Sequence, residues 1–280
     1  MRSFVKGFLG AALILVTAGG SSVLAAVQTT ATLGGRSVLV FRPASGGPQP
    51  LVMFSHGFGG CVADYTDLLG KLADTGYVIV GVNHIDCATG TSGGPDVPFT
   101  SPELWDDTSH QDRRDDMFVV LDLLPASQFA PYISNFTKVA AMGHSLGGYT
   151  VMGLAGGWDS WHRPEVRVVL APSPYHDPCR VQGRVGFLDY DGIVYQGGTL
   201  DLGITPQLEA AGGTYDQSPT PKYYEKWGAA GHFAWTNAGS ASDHTNMVYY
   251  FRKVLDGNFK GVPITGMTVK KTGVRTAREN

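Results

Sequence analysis

Between an apolar strand and a run of small residues, the chain places a serine with a glycine two positions to either side, Gly143–His144–Ser145–Leu146–Gly147. No other segment limits the fold as much. Val139–Gly143 reads as a short buried strand and Leu146–Leu154 as a small-residue helix. A backbone that passes from one to the other in so few residues must turn sharply, and the flanking positions must be tiny to avoid steric overlap. In a chain with 38 glycines the pentapeptide alone means little. Its place at a strand–helix junction is what marks it as a nucleophile elbow. The helix then aims its first N–H groups at any oxyanion forming beside Ser145.

The surrounding sequence alternates strand-like and helix-like stretches with no linker between them. Ser37–Phe41 and Leu51–Ser55 are short apolar runs and Tyr77–Val82 is a continuous β-branched run, as a strand buried on both faces requires, while Val166–Ala171, Gly192–Gln196 and Tyr223–Trp227 read as three further strands. Helical spacing appears over Val62–Thr75, Gln111–Leu124 and Asp243–Leu255, the last closed by Gly257. Cys87–Asp107 reads as a long loop. The pattern predicts an α/β fold with a mostly parallel central sheet and helices on both faces.

A serine hydroxyl needs a base to become a nucleophile. His232 lies in a glycine-containing loop directly after the strand Tyr223–Trp227, whereas His244 reads as a solvated residue in the first turn of the final helix. The acid that orients the base is expected at the end of the preceding strand, which favours Asp201 over its rivals Asp177 and Asp216. Ser55–His56–Gly57–Phe58–Gly59–Gly60 forms a glycine-rich turn whose Phe58 N–H would join that of Leu146 in an oxyanion hole. His144, Tyr175 and Trp235 are candidates for the substrate pocket. His84 and Asp86 are too few ligands to suggest a metal. Arg113–Arg114–Asp115–Asp116 reads as ion pairing on a helix.

His56–Gly57–Phe58–Gly59–Gly60, Gly143–His144–Ser145–Leu146–Gly147–Gly148, Gly198–Thr199–Leu200–Asp201 and Gly231–His232–Phe233 together resemble the dienelactone-hydrolase-like branch of the α/β-hydrolases. That branch includes cutinases, polyester (PET) hydrolases and platelet-activating-factor acetylhydrolases. The resemblance runs from Ser37 to Asp256 and implies an α/β-hydrolase fold. It also implies a triad of Ser145, Asp201 and His232, an oxyanion hole at Phe58 and Leu146, and carboxylic-ester hydrolysis without cofactor or metal. A phospholipid-type acylhydrolase and an inert binding protein of the same fold are the alternatives.

Residues 1–26 carry the positive start, apolar run and small-residue cleavage segment of a secretory signal peptide, with 27–260 as the catalytic domain and 261–280 as a polar tail. Removing Arg2 and Lys6 with the signal takes the net charge from −3 to −5. With its Lys and Arg scattered, the chain offers no footprint for nucleic acid. The expected partner is an ester substrate, small or polymeric, with a lipid surface as a candidate contact and the protein expected to act as a monomer. Of Cys61, Cys87 and Cys179, an odd count leaves at least one unpaired. A Cys61–Cys87 bridge is one possibility that sequence leaves open.

Overall fold

The computed structural model describes residues 25–91, 99, 101, 104–175 and 190–265, together with the backbone of 274–279. The signal segment up to residue 24, Cys179 and the rival acid Asp177 lie outside the described residues. Among the described residues nine strands form one sheet: β1 (Val27–Leu33), β2 (Arg36–Arg42), β3 (Leu51–Ser55), β4 (Val78–Val82), β5 (Val139–Gly143), β6 (Val166–Pro172), β7 (Gly192–Gly198), β8 (Lys222–Trp227) and β9 (Val274–Glu279). Their order across the sheet is β1-β2-β4-β3-β5-β6-β7-β8-β9. β4, β3, β5, β6, β7 and β8 run parallel to one another. β2 pairs antiparallel with both β1 and β4, and β9 antiparallel with β8.

Alternate residues of each central strand enter opposite cores, which explains their unbroken apolar runs. Val38, Val40, Met53, Val80 and Ala141 face one cluster, covered by α3 (Gln111–Leu123) and α4 (Leu146–Met152). Leu39, Phe41, Phe54, Ile79 and Met142 face the other, covered by α1 (Thr66–Asp74) and the long C-terminal helix, Ala241–Lys260. Among the described residues three shorter helices join these: α2 (Ile85–Thr89), α5 (Thr205–Glu209) and α6 (Thr214–Gln217). The C-terminal helix is α7. Among the described residues no helix is long and apolar enough to cross a membrane.

Three features depart from the sequence reading. β1 was not anticipated, although Gly34 and Gly35, at φ 56° and 81°, form the two-residue turn that folds it onto β2. Half-buried and rich in threonine, it lacks the apolar run of an interior strand. Val274–Glu279, expected in a polar tail, closes the far sheet edge as β9. Gly257 does not end the last helix but lies within it, where a Cβ would come within 2.3 Å of Ile264. Gly261, left-handed at φ 66°, is the residue that ends it. At the other end Ser240 caps the helix, its hydroxyl accepting from Asp243 N–H at 3.1 Å.

Candidate active site

The carboxyl edge of the parallel strands gathers Ser145 after β5, Ser173 after β6, Asp201 after β7 and the loop bearing His232 after β8. Ser145 holds φ 55° and ψ −120°, a region that non-glycine residues rarely adopt. Its N–H donates to the Ser173 carbonyl at 3.1 Å and its own carbonyl accepts from Tyr175 N–H at 2.8 Å, so the loop after β6 locks the elbow. The two flanking glycines are required by contact. A Cβ on Gly143 would lie 2.1 Å from the Gly147 carbonyl oxygen, and one on Gly147 would lie 2.0 Å from that of Ser55.

Around Ser145 the polar groups form a continuous line. His232 Nε2 lies 2.9 Å from Ser145 Oγ, and Nδ1 lies 3.2 Å from Asp201 Oδ2. Ser173 Oγ donates to the same Asp201 oxygen and sits 3.0 Å from His232 Nδ1. Because that hydroxyl's hydrogen is directed at the carboxylate, its lone pair receives the Nδ1 hydrogen. The imidazole is thereby set as the Nδ1–H tautomer, with the Nε2 lone pair facing Ser145. Burial pushes the Asp201 carboxyl up, but hydrogen bonds from His232 and Ser173 outweigh it and hold the group below its usual range.

The loops bearing Asp201 and His232 are tied to each other. Thr199 N–H and Leu200 N–H donate to the carbonyls of Trp227 and Ala230, each at 2.9 Å. Gly198 permits this approach, since a Cβ there would meet the Ala230 carbonyl at 2.2 Å. Phe58 stands at the top of the turn after β3, between Gly57 and Gly59, and Leu146 is the first residue of α4. Two cavities of about 440 Å³ each open on either side of Ser145 and His232 and share Phe58 as a wall. One is apolar, lined by Phe58, Phe99, Tyr175, Leu200, Leu202 and Ile204. The other is more polar, with Asp64, Thr236 and Asn237 facing it beside Phe233.

Of the three pocket candidates, Tyr175 lines the apolar cavity, with its hydroxyl donating to the Phe99 carbonyl. Trp235 does not belong there. It is fully buried, and its indole N–H donates to Gln196 Oε1 at 2.8 Å. His144 shows only an edge to the polar cavity, and both ring nitrogens are engaged. Nε2 lies 2.8 Å from the His232 carbonyl, and Nδ1 lies 2.8 Å from the Tyr65 hydroxyl, which also accepts from Gly57 N–H. Burial and the nearby His232 lower its pKa to about 3, so it stays neutral and donates from Nε2 to the carbonyl. His244, expected to be solvated, is buried, with Nδ1 2.6 Å from Asp67 Oδ2 and Nε2 3.0 Å from the Ala234 carbonyl.

Residues 4–164, more than half of the chain, match the sequence model of the chlorophyllase family. The chain belongs to that family. The match takes in the turn at Phe58 and the elbow at Ser145 and stops before Asp201 and His232. No curated protein matches the chain. Membership, together with the mostly parallel sheet, makes this chlorophyllase-family protein an α/β-hydrolase and a carboxylic ester hydrolase.

Sequence reasoning passed over Ser173 and Tyr65. Ser173 lies in Ala171–Pro172–Ser173–Pro174–Tyr175, where a serine between two prolines carries no pattern of its own. Tyr65 falls within the helical spacing of Val62–Thr75 with nothing local to mark it, and its hydroxyl finds its partners through tertiary contacts. Cys61 and Cys87 form a disulfide with Cα atoms 4.8 Å apart.

Proposed function

We propose that this protein hydrolyses esters by acyl transfer through Ser145, with His232 as general base and acid and Asp201 as the carboxylate that orients it. The observation that carries this reading is the 2.9 Å contact between His232 Nε2 and Ser145 Oγ, at a serine held in a strained elbow. Ser145 Oγ attacks the ester carbonyl while His232 takes its proton. The N–H groups of Phe58 and Leu146 receive the oxyanion, and His232 returns the proton to the departing alcohol. A water activated by the same imidazole then releases the acid. Ser173 is assigned a share of Asp201's role, since its hydroxyl bridges the two partners. This route needs neither cofactor nor metal, and one chain supplies every group, in keeping with a monomer.

The two cavities meeting at Ser145 suit an ester with a sizeable group on each side of its carbonyl carbon. The apolar one favours a hydrocarbon-rich arm, and the family name directs attention to chlorophyll-type esters. Phe58, Leu200, Leu202 and Phe233 are 42%, 61%, 77% and 65% exposed around the mouth, an apolar rim suited to substrate presented at a lipid or polymer surface. Export to an oxidising compartment is part of the proposal. The signal-like start argues for it, and so does the Cys61–Cys87 disulfide.

The test is a series of p-nitrophenyl esters from acetate to palmitate, run on the wild type and on Ser145→Ala. Turnover that depends on Ser145 and improves with chain length is expected. Equal turnover in the variant refutes the assignment.

A further inference from the structure

Behind the turn that carries Phe58 lies a buried ion pair that the proposed chemistry does not use. Arg113 of α3 and Asp86 of α2 are each 1% exposed, and Arg113 Nη2 donates to Asp86 Oδ2 at 2.6 Å. Both turn their remaining polarity on the turn after β3, Arg113 on the residues before Phe58 and Asp86 on the one after it. Asp86 Oδ2 accepts from Gly59 N–H at 2.8 Å, and Arg113 Nη1 donates to the His56 carbonyl at 2.7 Å. Longer contacts of 3.4 Å run from the guanidinium to the Gly57 carbonyl and the Ser55 hydroxyl. Phe58 is therefore gripped on one side through the carbonyls before it and on the other through the N–H that follows it.

The arrangement is expensive as a structural element alone. A buried ion pair adds little net stability over apolar side chains of similar volume, because desolvation offsets the attraction. Asp86 Oδ1 has no hydrogen-bond partner among the described residues, so the carboxylate acts wholly through Oδ2. Burial pushes the Asp86 carboxyl up, yet the charge of Arg113 and the Gly59 N–H more than reverse this and keep it ionised. The disulfide joins Cys61, two residues beyond Gly59, to Cys87, next to Asp86, and so braces both ends of the Gly59–Asp86 bond.

We propose that Asp86 and Arg113 are positioning residues that hold the Phe58 N–H aimed at the developing oxyanion, with the Cys61–Cys87 disulfide fixing the span across which they act. This rests on the reading of Ser145 as nucleophile and Phe58 as an oxyanion donor. Since the oxyanion exists only after attack, a loosened turn weakens the transition state and leaves ground-state binding nearly intact.

The experiment uses Asp86→Asn and the double variant Asp86→Asn/Arg113→Gln, which leaves no buried charge unpaired. After thermal melting shows that they fold, kcat and KM are measured on p-nitrophenyl butyrate, together with inhibition by phenylboronic acid, whose serine adduct is tetrahedral and anionic. The expected result is a kcat lower by roughly 10- to 100-fold, below the loss from deleting such a donor outright. KM is expected to stay within about twofold, and boronate affinity to fall by about the same factor as kcat. A folded variant with wild-type kcat and boronate affinity overturns the proposal, as does a rise in KM with kcat unchanged. If neither charge variant folds, Cys61→Ser/Cys87→Ser applies the same criteria without touching a charge. Failure of a fluorophosphonate to label wild-type Ser145 would instead sink the assignment of Ser145, whereas full labelling in an unimpaired variant rejects only the positioning role.

Discussion

Removing one hydroxyl, in Ser173→Ala, tests whether the carboxylate beside His232 works alone. Ser173 donates to Asp201 Oδ2 and receives the Nδ1 hydrogen of His232, so the substitution deletes a donor to a buried charge. A hydrogen bond to a charged group contributes about 1.5–3 kcal/mol. Each 1.4 kcal/mol of transition-state stabilisation corresponds to about tenfold in rate. Asp201 keeps its contact with His232 at 3.2 Å, so only part of that energy should be lost from catalysis. The expected outcome is a fall in kcat of about 10-fold with KM little changed, read from steady-state kinetics on a soluble p-nitrophenyl ester. Ser173→Gly provides the control. Residue 173 holds φ 42°, where a side chain costs about 1–2 kcal/mol, so glycine should lose the same activity while melting higher than the alanine variant. Wild-type kcat in both variants would refute the shared-carboxylate reasoning, and so would a loss confined to KM. Linkage gives a second readout. The folded-state pKa of Asp201 is depressed, so its contribution to stability is present above the unfolded pKa and is lost as pH falls through the folded value. Without Ser173 the depression shrinks, and acid unfolding should begin at a higher pH.

Two further outcomes concern stability. Glu225 on β8 is fully buried, and desolvation raises its carboxyl well above the ordinary carboxylate range. Between the unfolded and folded pKa the native state binds the extra proton, so stability falls as pH rises. Glu225→Gln should therefore melt higher than wild type at pH 8 by a margin that narrows towards pH 5, and a margin that is constant or reversed with pH excludes the explanation. The Cys61–Cys87 disulfide spans 26 residues, for which the chain-entropy relation gives about 3.5 kcal/mol. Cys61→Ser/Cys87→Ser should lower Tm by roughly 7–14 °C in differential scanning calorimetry; an unchanged Tm would show that the bridge constrains nothing.

What the sequence determined by itself was everything carried by local pattern. Apolar runs placed β3, β4 and β5 because strands buried on both faces have no polar side to interrupt them. Ser145 was legible because an elbow excludes a Cβ at Gly143 and Gly147, a constraint written within five consecutive residues. His232 and Asp201 were candidates from their places just beyond two strand ends, and the structure brings their side chains within 3.2 Å. Elements with weaker local signals were lost, notably the half-buried β1 and the edge strand β9, whose partners lie far along the chain. The tertiary structure alone decided which polar atoms meet. His244 looked solvated because its partner Asp67 is 177 residues away, and Trp235 looked like a pocket wall because burial by Gln196 and its neighbours cannot be read from spacing. The same holds for Ser173, and for Arg113 with Asp86. A side-chain hydrogen bond across the sheet edge depends on where separate strands end in space, and neither propensity nor periodicity records that distance.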